Sequence, residues 1–404
     1  MRVSTLSLYR SGITAMQDQQ SKLQQTQLQI TSGLKINKPS DDPSAAVKVL
    51  DLKSNMAQLD QYSRNSATAI SSLSFEESVM SSVRNNLQRI RELTVQGNNS
   101  TNSDADRNSI AQEIYQRLDE LVALGNTRDA QGEYIFGGFK VDSPPFVALN
   151  GEITYQGEDG QRELQIGDGS KVVTRDSGQS VFQDIPSGDG HISVRAGEDN
   201  VGGVLLGDFG LIGDFEPDDY TVTFALSTAP GSPAGEMVYE VTDSNATVIS
   251  SGTYKEDTAI TFGGAQISVS GTPAAGDTIT LSPSQNRDLF TTVREIADAL
   301  ARPADNTASR ARYHNEVGQG LANLDQALDN ITAVRANIGA RLNNIETIDE
   351  INQDFKLHME TVLSDTQDLD YAEAISRLNL QLTSLQAAQQ TYVKTTGLSL
   401  FQFL

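Results

Sequence analysis

A chain of 404 residues is long for one domain and argues for two or three, and an apolar share of 37% is low for a compact globule and suits thin cores. A formal net charge of -23 argues against nucleic acid as a partner, which would need clustered Lys and Arg, and the lack of Cys excludes disulfides and thiol chemistry. No apolar run reaches the roughly 18 residues of a membrane span, and the N-terminus lacks the continuous apolar core of a secretory signal peptide.

From the N-terminus, apolar positions step by three and four along Leu6, Tyr9, Ile13, Met16, Gln20, Leu23, Gln27, Ile30 and Leu34. That is the spacing of a coiled-coil seam, diluted by amides that lower its stability. In "KPSDDPSAAVKV" Asp42 reads as an N-cap with Pro43 at the first helical position, opening a helix over roughly 44–96. The polar turn "GNNSTNSDADR" leads to a second helix over roughly 105–125. Both helices are expected to be amphipathic and to drift from a strict heptad, as bundle helices do.

"NTRDAQGEYIFGGFK" (126–140) then reads as a strand and glycine turn, with Tyr134, Phe136 and Phe139 around Gly137–Gly138. Residues 141–285 differ in kind: 22 acids against 5 bases give a local net charge of -17, and 21 of the 32 glycines lie there. Alternating runs such as "GEITYQG", "YTVTFALS", "EMVYEVTD" and "AAGDTITLS" predict strands in a β-rich insertion. After a turn with Pro283, helices are expected from near Asp288 to 301 and over roughly 306–365. A second seam follows at Tyr371, Ile375, Leu378, Leu382, Leu385, Gln389 and Tyr392.

The two seams are expected to pair with each other. Such diluted helices are marginal alone, so both arms are expected to be largely disordered in a free monomer and helical on assembly. The chain closes on "LSLFQFL", whose Leu398, Leu400, Phe401, Phe403 and Leu404 form an apolar tail suited to another surface.

Chemistry is poorly represented. His191, His314 and His358 are scattered, "GDGS" and "SGDGH" lack the alternating ligands and closing Glu of a calcium loop, and no nucleophile elbow, phosphate loop or dinucleotide fingerprint occurs. No catalytic, cofactor or metal site is assigned, and the chain reads as a non-enzyme.

The stretches "STLSLYRSGITAMQDQQSKLQQTQLQITSGLKINKPSDDPSAA", "NTRDAQGEYIFGGFK", "SPPFVALNGEITYQGEDG", "GDTITLSPSQNRDLFTTV" and "LSLFQFL" resemble, in this order, the flagellin superfamily and within it the hook–filament junction proteins. Filament flagellins resemble the N-terminal stretch too but typically close on a Leu-Leu-Arg-like end. The resemblance and the periodicities lead to one expected architecture: an elongated α+β fold with long paired N- and C-terminal helices, as coiled coil or bundle, and a β-rich domain inserted mid-chain. The expected domains are a terminal coiled coil (1–40 and 370–404), a helical bundle (41–140 and 285–369) and a β-rich outer domain (141–284).

The resemblance implies a structural adaptor of the bacterial flagellum, exported by the type III route without a cleaved signal peptide and placed outside the cell. Its implied partners are the first hook-associated protein (FlgK), flagellin, neighbouring copies in a helical ring, and a FlgN-like export chaperone. The candidate assembly residues are Leu6, Ile13, Met16, Leu23, Ile30, Ile375, Leu378, Leu382, Leu385, Tyr392 and the five apolar tail residues. Two other readings stay open: a flagellin-type filament subunit, and an adhesin or enzyme displaying its acidic insert.

Overall fold

The computed structural model describes residues 5–149, 151–229, 233 and 235–397, without the side chains of 5, 6, 8 and 395–397. The chain divides into two compact units: Met1–Ser66, Ile166–Gly169 and Glu346–Leu404 form the first, and Ala67–Gln165 and Ser170–Ile345 the second.

The helices are α1 (Thr5–Ser32), α2 (Pro43–Gly97), α3 (Asp104–Gly125), the short α4 (Gly178–Phe182), α5 (Leu289–Ala301), α6 (Thr307–Gln367) and α7 (Tyr371–Gly397). Their starts follow local chemistry. Asp42 Oδ1 accepts the Ala45 N–H at 3.0 Å just ahead of Pro43, and Asp288 Oδ1 accepts from Thr291 N–H at 2.7 Å. Ser103 and Asp106 close a reciprocal capping box at α3, each side chain accepting the other's backbone N–H.

In the first unit the strand-like bridge Leu34↔Asp368 sits where α1 ends and α7 is about to begin. Lys35 N–H donates to Gln367 O at 2.7 Å and Leu369 N–H to Gly33 O at 3.0 Å, so the segment after α1 and the segment before α7 are joined by backbone. Lys356 Nζ pairs with Asp60 at 2.7 Å and Asn352 Nδ2 donates to Ile166 O at 2.8 Å.

The second unit holds a helical core. On α2 the buried positions include Ala69, Leu73, Glu76, Met80, Val83, Leu87, Ile90, Thr94 and Gly97. On α6 the inward positions run Tyr313, Val317, Gly320, Leu324, Ala327, Ile331, Val334, Ile338, Arg341 and Ile345. Within 69–97 and 313–345 these positions keep alternate steps of four and three, with Glu76 and Arg341 in the repeat, while Val79, Asn86, Leu93, Asn315 and Asn323 are buried beside it. Ile110, Ile114, Leu118 and Leu121 of α3 and Val293, Ile296 and Leu300 of α5 complete the core. Close approach is possible where side chains vanish: a methyl at Gly320 would lie 2.4 Å from Ile296 Cγ1.

The expected strand at 126–140 is not a strand. Among these residues the only bridge is Arg128↔Tyr134, and the segment is a tight turn that drives Phe136 into an edge-to-face contact with Phe182, 5.2 Å between ring centres. Phe146 and Phe290 join this cluster.

Strands follow as β1 (Phe146–Leu149), β2 (Glu152–Tyr155), β3 (Glu163–Gly167), β4 (Ser170–Val173), β5 (Ile185–Pro186), β6 (Ile192–Ala196), β7 (Gly203–Leu211), β8 (Tyr220–Leu226), β9 (Met237–Thr242), β10 (Val248–Thr253), β11 (Thr258–Phe262), β12 (Ala265–Thr272), β13 (Thr278–Pro283) and β14 (Asn286–Arg287). The main sheet is antiparallel in the order β10-β9-β8-β13-β6, and a smaller one runs β11-β12-β7. Register aligns Val241, Val222 and Ile279 in one row of the main sheet. That row joins Ile260, Phe262, Ile267 and Val269 of the smaller sheet in one apolar core. Gly263 and Gly264, at φ 54 and 78, make the tight β11–β12 turn.

The two calcium-like stretches are turns. Asp189 Oδ1 accepts from His191 and Ile192 N–H groups at 2.9 and 2.8 Å, and Gly169 at φ 72 turns the chain between β3 and β4.

Candidate assembly interface

The terminal helices α1 and α7 pack antiparallel. Tyr9 meets Tyr392 edge-on at 6.2 Å, Gln19 Nε2 donates to Gln381 O at 3.4 Å, and Gly33 joins Leu369 through the backbone. The face of α1 turned to this pairing carries Tyr9, Gly12, Met16, Gln19, Leu23, Thr26, Ile30 and Gly33. The answering face of α7 carries Ala374, Leu378, Gln381, Leu385, Ala388 and Tyr392.

Half of the expected seam is therefore in place and half is displaced by one residue. Met16, Leu23, Ile30, Leu378, Leu385 and Tyr392 lie on the paired faces. Ile13, Ile375 and Leu382 do not: they are 41%, 49% and 38% exposed. The alternate seam positions belong instead to Gly12, Gln19, Thr26 and Gly33 on α1, and to Ala374, Gln381 and Ala388 on α7.

The physical reason is size. Small residues make room for the partner's rings: a methyl at Gly12 would be in ordinary contact with Tyr392 Cδ2 at 3.4 Å, and one at Gly33 would crowd the Tyr371 hydroxyl at 3.0 Å. Reading for large apolar side chains favoured Ile13 and Leu382; four of the seven positions that face the partner instead are Gly or Ala (Gly12, Gly33, Ala374 and Ala388), beside Gln19, Thr26 and Gln381. The Leu6 side chain and Leu398, Leu400, Phe401, Phe403 and Leu404 lie outside the described residues.

This seam buries little. Among the described residues of the two helices, Leu23 is the one large apolar side chain counted as buried, at 8% exposure. Ile13, Leu28, Tyr371, Ile375, Leu380, Leu382 and Val393 stand exposed. Charge is almost absent: α1 carries only Arg10, Asp18 and Lys22, and α7 only Glu373, Arg377 and Lys394. A surface with apolar and amide groups but few ions can be covered by another protein without the large desolvation cost of burying charge.

Among the described residues no group of His, Cys, Asp or Glu is placed to hold a metal, and no helix is long and apolar enough to cross a membrane.

Comparison with known proteins sets the class. Residues 3–140 match the family model described as the bacterial flagellin N-terminal helical region, and 321–404 match the C-terminal helical region. The chain is built like a flagellin-type structural protein, with helical ends around a β-rich middle. It is 27% identical over 402 residues to flagellar hook-associated protein 3 of Escherichia coli K12, covering 100% of this chain and 99% of that one. The crystal structure of the flagellar junction protein FlgL from Legionella pneumophila is 32% identical, with a TM-score of 0.68 over 74% of this chain and 99% of that chain. A Salmonella phase 1 flagellin is 34% identical over 173 residues, but this spans 42% of the chain and only 30% of the flagellin. The chain belongs to the flagellar hook-associated protein 3 (FlgL) family, whose members are structural components of the flagellum.

Proposed function

We propose that the chain is the adaptor that joins the flagellar hook, through the first hook-associated protein (FlgK), to the flagellin filament. Full-length likeness to hook-associated protein 3, and likeness in fold to the Legionella flagellar junction protein, support this. The observation that carries it is the α1–α7 pair, which spends its small residues on itself and leaves Ile13, Ile375 and Leu382 outward.

In this reading the terminal coiled coil (1–40 and 370–404) lines a tube, the helical bundle (41–140 and 285–369) surrounds it, and the β-rich domain (141–284) faces water. Each copy offers one surface to the copy before and another to the copy after, an open heterologous arrangement that builds a helical ring. Leu6, Ile13, Ile375, Leu382 and the apolar tail residues Leu398, Leu400, Phe401, Phe403 and Leu404 make these contacts, with FlgK on one side and flagellin on the other. Each large apolar side chain covered contributes about 1.5–3 kcal/mol. Burial of several offsets the cost of ordering arms that are largely unfolded in the monomer. Before assembly a FlgN-like chaperone covers the C-terminal part, and the chain leaves the cell by type III export.

The flagellin-type filament subunit is the alternative, favoured by the matching terminal regions. A strain lacking the gene separates the two. An adaptor's loss leaves cells that make hooks and shed unattached flagellin, whereas loss of a filament subunit leaves none of that subunit in the medium. Retention of normal filaments on such cells would sink the adaptor reading.

A further inference from the structure

Glu76 stands in the α2 seam between Leu73 and Met80 and has no exposed surface. Its Oε1 accepts the Asp176 N–H at 3.0 Å, and its Oε2 has no hydrogen-bond partner. The nearby cations are already engaged. Arg341, in the facing seam of α6, grips Asp176 with Nη1 at 3.0 Å from Oδ2 and Nη2 at 2.9 Å from Oδ1. Arg175 donates to Asp129, to Glu133 Oε2 at 3.1 Å and to Ser72 Oγ at 3.3 Å, and Arg162 reaches the same Glu133 oxygen at 3.1 Å.

Charge in this network balances without Glu76: Arg162, Arg175 and Arg341 answer Asp129, Glu133 and Asp176. An ionised Glu76 would be a fourth anion, buried, beside Asp176 and short of a donor on one oxygen. A buried anion in that state is far costlier than a neutral carboxylic acid, even one whose O–H on Oε2 finds no acceptor.

We propose that Glu76 is a proton-linked latch: the folded unit holds it as the neutral acid, and loss of that proton releases the Asp176 turn from α2. The turn matters because it carries the aromatic cluster. Ser177 caps α4 through Ser180 N–H, Gly178 N–H donates to Phe136 O at 2.9 Å, and Phe182 follows at the end of α4. Arg175 and Arg341 hold the 129–133 turn, the 174–178 turn and α6 together at any protonation state of Glu76. What the proton controls is the burial of Glu76 against the 174–178 turn, where an anion would face the Asp176 carboxylate.

Burial, and next the negative charge of Asp176, push the Glu76 pKa from 4.5 to about 8; the Asp176 N–H, Arg341 and Arg175 oppose this. Because the folded value is the higher one, folding takes up a proton between those limits. The stabilising contribution is complete below about pH 4.5, declines about tenfold in folding constant per pH unit above it, and levels off past about pH 8.

Glu76→Gln keeps the shape and removes the titration. Urea unfolding of the full chain at about pH 5 to about pH 9 should show the folding constant of E76Q gaining on wild type by about tenfold per unit, then levelling near pH 8. A pH-independent ratio overturns the latch. A second measurement does not depend on the variant folding: the 13C carboxyl resonance of Glu76 in the wild-type protein should titrate near pH 8. A carboxylate signal already present at pH 6 overturns the proposal. The protection factor of the Asp176 amide, taken relative to the intrinsic hydroxide-catalysed rate at each pH, should fall across the same pH range while protection factors in the β-sheet core stay constant. An unchanged protection factor at Asp176, or an equal fall through the whole unit, would overturn the local release of the turn.

Discussion

Gly138 has a φ of 65, and a methyl there would stand 1.8 Å from the Glu158 carbonyl oxygen. No side-chain movement relieves a clash with backbone, so Gly138→Ala is expected to destabilise the second unit by more than about 2 kcal/mol, read as a lower urea midpoint. Ser103→Ala should lose about 1 kcal/mol by the same measurement, since Ser103 Oγ accepts the Asp106 N–H at the start of α3. Asp42, Asp288 and the Ser103 turn were legible in sequence because each bond spans three residues. Glu76 was not. Its meaning depends on Asp176 and Arg341, which lie 100 and more positions away and meet it only after the helices pack.

Among the elements, helix limits read from periodicity agree with α2, α3, α5 and α6 to within about two residues, the usual margin for helix ends. The seam between α1 and α7 was harder. A 3.5-residue repeat fixes one stripe, here Tyr9, Met16, Leu23 and Ile30, but leaves two candidates for the flanking stripe. Ile13 and Leu382 are the apolar choice; Gly12, Thr26, Ala374 and Ala388 are the smaller residues that make room for the partner helix. The displacement makes a prediction. Leu382→Asp puts a charge on the outward stripe, so the urea midpoint of the second unit should be unchanged while incorporation into flagella is lost. Flagella assembled normally from that variant would remove Leu382 from the interface. Ala388→Leu, in the paired face, should block incorporation by keeping α7 from closing on α1, again with the urea midpoint of the second unit unchanged.

At the scale of the molecule, the two units differ in what holds them. The second has continuous cores of helix and sheet and is expected to fold as the fragment Ala67–Ile345, with a single cooperative urea transition matching that of the full chain. The first is thinly packed along α1 and α7. Deleting 398–404 should therefore leave that transition in place and abolish attachment of filaments to hooks, scored by electron microscopy of complemented cells. Attachment by the truncated chain would show that the tail is dispensable.

The sequence by itself determined the helical flanks, the acidic β-rich middle, the caps and the family resemblance, because each follows from local periodicity, turn chemistry or motif order. Only the tertiary structure decided which stripe of α1 faces α7, how the strands divide between two sheets, and that a glutamate and an arginine share the seams of α2 and α6. Those outcomes turn on backbone separation and on charge balance among segments far apart in the chain, quantities that exist only once the helices are side by side.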